Sequence, residues 1–136
     1  AARLDEEDLD LWFEMFAPVS SYQIATSSPE IETDMSWWNS NQDELKKIIT
    51  EVPEHVRDRA KRLHLLTPIS AEINENRASV LTHFSIFRTD TDGRSSLYVT
   101  GRYNDEILKI NGDWYYETHN VKLDTRILEP FTHLPL

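Results

Sequence analysis

Apolar residues recur along the chain first at helical spacing and later at every second position. This divides it into a helical first half and a strand-rich second half. Leu9, Trp12, Phe13 and Phe16 fall at i, i+3, i+4 and i+7, so Asp8 to Phe16 is predicted as a helix with an acidic first turn, stopped by Pro18. Tyr22 to Thr26 fits a short strand that ends in the turn residues Ser27-Ser28-Pro29. Trp37-Trp38 leads into Asn39-Ser40-Asn41, and Asn41 with Glu44 has the spacing of a capping box. Leu45, Ile48, Ile49 and Val52 form the next helical stripe. Pro53 kinks or restarts that helix, and Val56, Ala60 and Leu63 carry its apolar face to about His64.

After Pro68 the period is two. Ile69–Glu75, Ala78–Thr89, Ser96–Glu106 running on through Lys109, and Trp114–Leu123 are the predicted strands. Asn76 marks the first turn, Asp90-Thr91-Asp92-Gly93 a hairpin loop, and Asn111-Gly112 the strongest short hairpin signal. The expected fold is α+β: three long consecutive antiparallel strands preceded by short ones, with helices on the concave face. The tail from Asp124 wraps or pairs at an edge.

Composition narrows the possible functions. The 136 residues suit one domain, 1–136, large enough for a core without disulfides or metal. No cysteine is present, which excludes a disulfide framework, a thiolate metal site, a Rieske cluster and a cysteine nucleophile. Three glycines leave little room for a phosphate loop. A formal net charge of −10 argues against nucleic acid, and Arg57-Asp58-Arg59-Ala60-Lys61-Arg62 is expected to be a solvated face or subunit contact. No apolar run approaches the ~18 residues of a membrane helix. The opening Ala1-Ala2-Arg3-Leu4 has neither a signal-peptide order nor a methionine, so a preceding N-terminal piece is expected.

Gly101-Arg102-Tyr103-Asn104-Asp105, then Leu108, then Gly112-Asp113-Trp114, then Val121-Lys122-Leu123-Asp124, resembles the G-R-Y-x-D, L, G-x-W, V-x-L-D pattern of small (β) subunits of bacterial aromatic-ring-hydroxylating dioxygenases. Val80–Thr89, with Phe87-Arg88 inside it, looks like their long strand. Leu4-Asp5 and Asp10-x-Trp12-x-x-x-Phe16 are similar to their first-helix pattern, and Leu134-Pro135-Leu136 to the ending of some members. The likeness runs in order through nearly the whole chain. Trp37-Trp38 and the short Glu30 to Met35 loop have no counterpart in it. It implies a cone-shaped, strongly curved antiparallel or mixed sheet covered by N-terminal helices, the nuclear-transport-factor-2-like, SnoaL-like or cystatin-like fold. It also implies a cytoplasmic bacterial subunit of aromatic catabolism that trimerises within an α3β3 assembly and holds no cofactor. The large (α) subunit would carry a Rieske 2Fe–2S cluster and mononuclear Fe(II).

The candidate residues follow. Trp38, Arg88, Arg102, Arg126 and His133 are the expected subunit contacts, since Trp and Arg anchor interfaces. Trp37 and Trp38 are adjacent, so one is expected to plug the core and the other to face a partner. Cones of this type also host isomerases and dehydratases that set a buried acid or base in an apolar pocket. For that alternative, a free-standing enzyme or ligand-binding protein, the pocket candidates are Tyr22, Asp34, His83, Tyr103 and His119. His83 and His119 are the histidines placed to meet across the sheet, as a hydrogen-bonded pair rather than a metal site. His55 and His64 are expected on helix surfaces or ends. Tyr103 and Trp114 are expected to fill the cone, leaving this chain without catalytic residues.

Overall fold

The computed structural model describes residues 1–28, 33–51, 58–129 and 134–136. Two short helices, α1 (Ala2–Asp5) and α2 (Leu9–Phe13), precede β1 (Phe16–Ser28) and β2 (Thr33–Asn41). Helix α3 (Gln42–Glu51) follows, and then β3 (Lys61–Asn74), β4 (Arg77–Thr89), β5 (Ser95–Ile110) and β6 (Asp113–Leu123). The strands form one curved six-stranded sheet in the order β2-β1-β6-β5-β4-β3. All neighbours are antiparallel except β1 and β6, so the sheet is mixed.

The first helix is shorter than its periodicity suggests. Asp8 caps α2 by accepting the Leu11 N–H at 3.2 Å, but the helix ends at Phe13 and Phe16 opens β1. Phe16 reaches the core as a strand residue, 4.9 Å from the Trp12 ring edge-on. Pro18 falls where the β1–β6 register shifts between Phe16 and Ser21, a place where a missing N–H costs no ladder bond. The strand is therefore much longer than Tyr22–Thr26. The capping box forms as its spacing predicts: Asn41 N–H donates to Glu44 Oε2 and Glu44 N–H to Asn41 Oδ1, both at 3.0 Å. Leu45 and Ile49 bury one face of α3.

The expected helical run to His64 is corrected. Residues 52–57, with Pro53, His55 and Val56, lie outside the described residues, but from Lys61 the chain is β3. Ala60 and Leu63 are three apart by coincidence; the burial alternates, with His64 inside and Leu63 and Leu65 outside. The first long strand thus begins at Lys61, not Ile69, and four long strands run in succession. Pro68 is accommodated on this edge strand beside a register shift between Pro68 and Ser70. The later turns lie where expected. Asn111 and Gly112 take φ of 52° and 96°, the doubly left-handed geometry of a tight hairpin, and Gly93 has φ 83°.

The core lies between the concave face and the helices. Trp12, Tyr22, Leu45, Ile86, Val99, Val121, Leu123 and Leu136 are its most buried apolar members. The tail enters it: Leu136 N–H donates to the Tyr22 hydroxyl at 2.9 Å, and that hydroxyl donates to Leu136 O at 3.4 Å.

Candidate functional site

The Asn111-Gly112 turn fixes the β5–β6 register by simple counting, pairing Ile110 with Asp113 and Ile107 with Tyr116. A bulge between Glu106 and Ile107 then adds one residue to β6, so Asp105 pairs with His119 rather than Thr118. Both side chains point into the cone, 6% and 4% exposed, and His119 Nδ1 lies 2.6 Å from Asp105 Oδ1. An acid and an imidazole are thereby fixed across two central strands, where neither backbone can easily move.

Aromatic rings enclose the histidine. Tyr116, Tyr103 and Tyr22 have centroids 4.7, 4.9 and 5.6 Å from His119, and Phe16 and Trp12 stand edge-on at 6.1 and 6.5 Å. Tyr103 also stacks on Phe84 at 4.2 Å. Burial raises the pKa of Tyr22 and Tyr103 far above the ordinary phenol value. Tyr116 is pushed up to about 12, by burial first and by the Asp105 charge second. These phenols stay protonated; their rings pack around the histidine, and the Tyr22 hydroxyl donates to Leu136 O.

Filling is not complete. Toward the β5–β6 hairpin a hollow of about 240 Å³ is lined by Met15, Val80, Thr82, Asp105, Ile107, Trp114, Tyr115 and Tyr116. Met15 and Trp114, both more than a third exposed, stand at its rim. Asp105 is the carboxylate on its wall, and His119 backs it.

A second histidine–carboxylate pair lies elsewhere in the interior. His64 Nδ1 is 2.5 Å from Asp5 Oδ1, and the His64 backbone N–H donates to both Asp5 oxygens at 3.2 and 3.1 Å. His64 Nε2 is buried with no partner among the described residues. Burial lowers the His64 pKa, and the Asp5 carboxylate only partly opposes this. The ring is neutral at pH 7, because a proton on Nε2 would be a buried donor without an acceptor.

The pocket candidates separate into two groups. Tyr22, Tyr103 and His119 come together as expected. Asp34 and His83 do not join them. Asp34 is exposed on β2, where Ser27 and Lys122 hydrogen-bond its carboxylate at 2.8 and 3.1 Å and hold its pKa low. His83 is exposed on β4 opposite Arg102; inward positions on β4 are the even ones, and β5 separates β4 from β6, so His83 and His119 cannot meet. Asp105 and Asp5 are not among the pocket candidates, and His64, expected on a helix surface or end, is instead buried on β3. Counting back from the hairpin brings Asp105 within one residue of His119, but no sequence signal marks the bulge that joins them.

The expected subunit contacts are also distributed. Both Trp37 and Trp38 pack on the core, because a register shift between Ile24 and Ala25 leaves Trp37 outside the pairing and breaks the alternation. The Trp38 indole N–H donates to Ser40 Oγ at 2.7 Å. Arg88 grips Asp58 with two hydrogen bonds at 2.9 and 2.8 Å, and Arg102 binds Asp124 at 2.8 Å. Arg126 is exposed, while His133 lies outside the described residues. Among the described residues no group of three or more His, Asp or Glu is placed to hold a metal, and no helix is long and apolar enough to cross a membrane.

Comparison with known proteins adds kinship to this geometry. The model of the SnoaL-like domain matches residues 1–119. The β subunit of 2-aminobenzenesulfonate 2,3-dioxygenase from an Alcaligenes species is 28% identical over 134 residues, 98% of this chain and 89% of that one. The β subunit of the methanesulfonate monooxygenase hydroxylase from Methylosulfonomonas methylovora is 25% identical over 98% of this chain and 79% of its own length. Among solved structures, one from Novosphingobium aromaticivorans described as the β subunit of an aromatic-ring-hydroxylating dioxygenase superposes with a TM-score of 0.83. It is 17% identical and covers 98% of this chain and 88% of that one, a likeness of fold.

Proposed function

We propose that this chain, which belongs to the SnoaL-like domain family, is the non-catalytic β subunit of a Rieske non-haem iron aromatic-ring-hydroxylating dioxygenase. In this reading it trimerises, supports the assembly and stability of catalytic α subunits in an α3β3 oligomer, and works in bacterial aromatic catabolism in the cytoplasm. The observation that carries it is the match, over 98% of the chain, to two proteins that are each the β subunit of an oxygenase. A Rieske cluster needs two cysteines and two histidines, and this chain has no cysteine, so the cluster is assigned to the α partner; the mononuclear Fe(II), whose ligands are histidine and carboxylate, is assigned there as part of the same reading.

The surface supports an assembly role. On the outer face Leu63, Phe87 and Leu97 are direct neighbours across β3, β4 and β5, with Leu65 beside them. Leu63, Leu65 and Leu97 are 54, 51 and 56% exposed, and β3 is an edge strand. An apolar row beside an open edge favours pairing with another chain. We place the subunit contact there, with Arg102 and Arg126 as its polar members; Arg102 would meet a partner while bound to Asp124, as Arg88 is bound to Asp58.

Co-expression with the neighbouring large-subunit gene and sizing tests the proposal. An α3β3 complex of about 200 kDa is expected, since such oligomers close by symmetry. A lone dimer that turns over substrate without a partner, or stoichiometric iron in the isolated chain, would overturn it.

A further inference from the structure

The hollow beside Asp105 has a chemistry that scaffolding does not require. Its walls are Val80, Ile107, Met15, Trp114 and Tyr116, apolar or aromatic, and its inner end is the Asp105 carboxylate. That carboxylate is buried and lines the hollow, and its Oδ1 is held by His119 Nδ1 at 2.6 Å. The bulge that places His119 behind Asp105 fixes the aim of the acid, and the rings around His119 hold the imidazole in turn. An apolar cavity of about 150 Å³ suffices to take benzene. At about 240 Å³ this hollow has room for one ring and a substituent, not for a fused polycycle.

We propose that the hollow is a small-molecule site within this subunit, taking a single-ring arene that carries a hydrogen-bond donor, a phenol or an aromatic amine. The ring lies against Trp114 and Tyr116 and the donor bonds the Asp105 carboxylate. Val80 and Ile107 close the sides, and Met15, on the segment between α2 and β1, forms the lip. Thr82, buried beside the acid, adds a hydroxyl for a second polar group on the ring. Asp105 is the recognition residue, and His119 is a positioning residue that acts through it.

The test uses the full chain labelled with ¹⁵N, titrated with phenol and separately with toluene, below concentrations that lower the melting temperature. The indole N–H resonance of Trp114, assigned with Trp114→Phe, is the readout. Phenol should shift it in a saturable way and bind tenfold or more tightly than toluene, which leaves the buried acid unpaired. Asp105→Asn should weaken phenol by about tenfold, because a charge-assisted hydrogen bond becomes a neutral one. Val80→Phe fills the hollow from the β4 position paired with Asp105 and leaves both Asp105 and His119 in place in the chain; it should abolish the shift while the protein melts cooperatively. This second variant decides the matter if Asp105→Asn fails to fold. Equal affinity for phenol and toluene, no shift of Trp114, or undiminished phenol binding in folded Val80→Phe would each overturn the proposal. The readout belongs to this chain, so the result is independent of whether an α3β3 complex forms.

Discussion

Gly101 offers the sharpest quantitative test of the packing that holds the site. It lies inward on β5, paired with Phe84 on one side and Leu123 on the other. A Cβ placed there would meet Lys122 O at 2.4 Å, Phe84 Cζ at 3.0 Å and Leu123 Cα at 3.1 Å. Two of those three atoms are backbone of the neighbouring strand, which cannot turn aside as a side chain can. For Gly101→Ala, overpacking of this kind costs about 1–3 kcal/mol, and the backbone conflict puts it at the upper end. Reduced unfolded-state entropy offsets about 0.5–1 kcal/mol. The net loss is about 2 kcal/mol, which for a domain of this size lowers the melting temperature by about 8 °C. Thermal and urea denaturation followed by circular dichroism measure it. Phe84→Leu in the same chain should not restore stability, because it relieves only the ring contact. A Gly101→Ala protein melting within about 2 °C of wild type, or a full rescue by Phe84→Leu, would refute the claim that β6 backbone sets the requirement for glycine.

Three further outcomes are expected. Asn41→Ala removes one half of the reciprocal cap on α3 and should cost about 1 kcal/mol in urea denaturation. Gly112→Ala, at φ 96° in the hairpin, should cost about 1 kcal/mol with no effect on the hollow, because nothing lies within 4 Å of an added Cβ and the penalty is conformational alone. Burial holds the folded-state pKa of His64 below the ordinary histidine value of about 6.5, so the unfolded chain binds the extra proton first as pH falls. Its contribution is complete above pH 6.5 and is lost on acidification below it. The urea midpoint should therefore fall between pH 7 and pH 5.5, and the fall should be smaller in His64→Gln.

Much of this architecture is legible in the sequence because each signal there is local. Asn111-Gly112 demands two left-handed residues and obtains them, and the Asn41–Glu44 spacing specifies a reciprocal cap that forms. Gly101 in the G-R-Y-x-D stretch has a reason that no pattern states, the close approach of β6. The misreadings share a cause in register. Ala60 and Leu63 imitate a helical interval on a chain that alternates as a strand, and the tertiary demand of β4 for an edge partner decides between the two. Strand alternation assigns Trp37 and Trp38 to opposite faces until the shift beside Ile24 overrides it, and it assigns Asp105 to Thr118 until a bulge substitutes His119. A bulge is a property of two strands together and leaves no mark in either one alone.

The two histidine–carboxylate pairs differ in what their remaining atoms meet, and that difference assigns their tasks. Both Asp5 oxygens are occupied by the backbone and ring of His64, and the far nitrogen of that ring is sealed in the interior without a partner. Such a pair has no atom left for a ligand. It fastens α1 to the edge strand β3, and its removal should act on stability. Asp105 is held by His119 through one oxygen and lines a hollow. A buried acid in that position carries a desolvation cost that folding alone gives no reason to retain, since an apolar pair of similar volume in the same place is often as stable or more so. If Asp105 and His119 are together replaced by Leu and Phe, the chain should therefore fold at least as well and lose only its discrimination between phenol and toluene. If that doubly substituted chain is instead strongly destabilised, the pair belongs to the scaffold as Asp5 and His64 do.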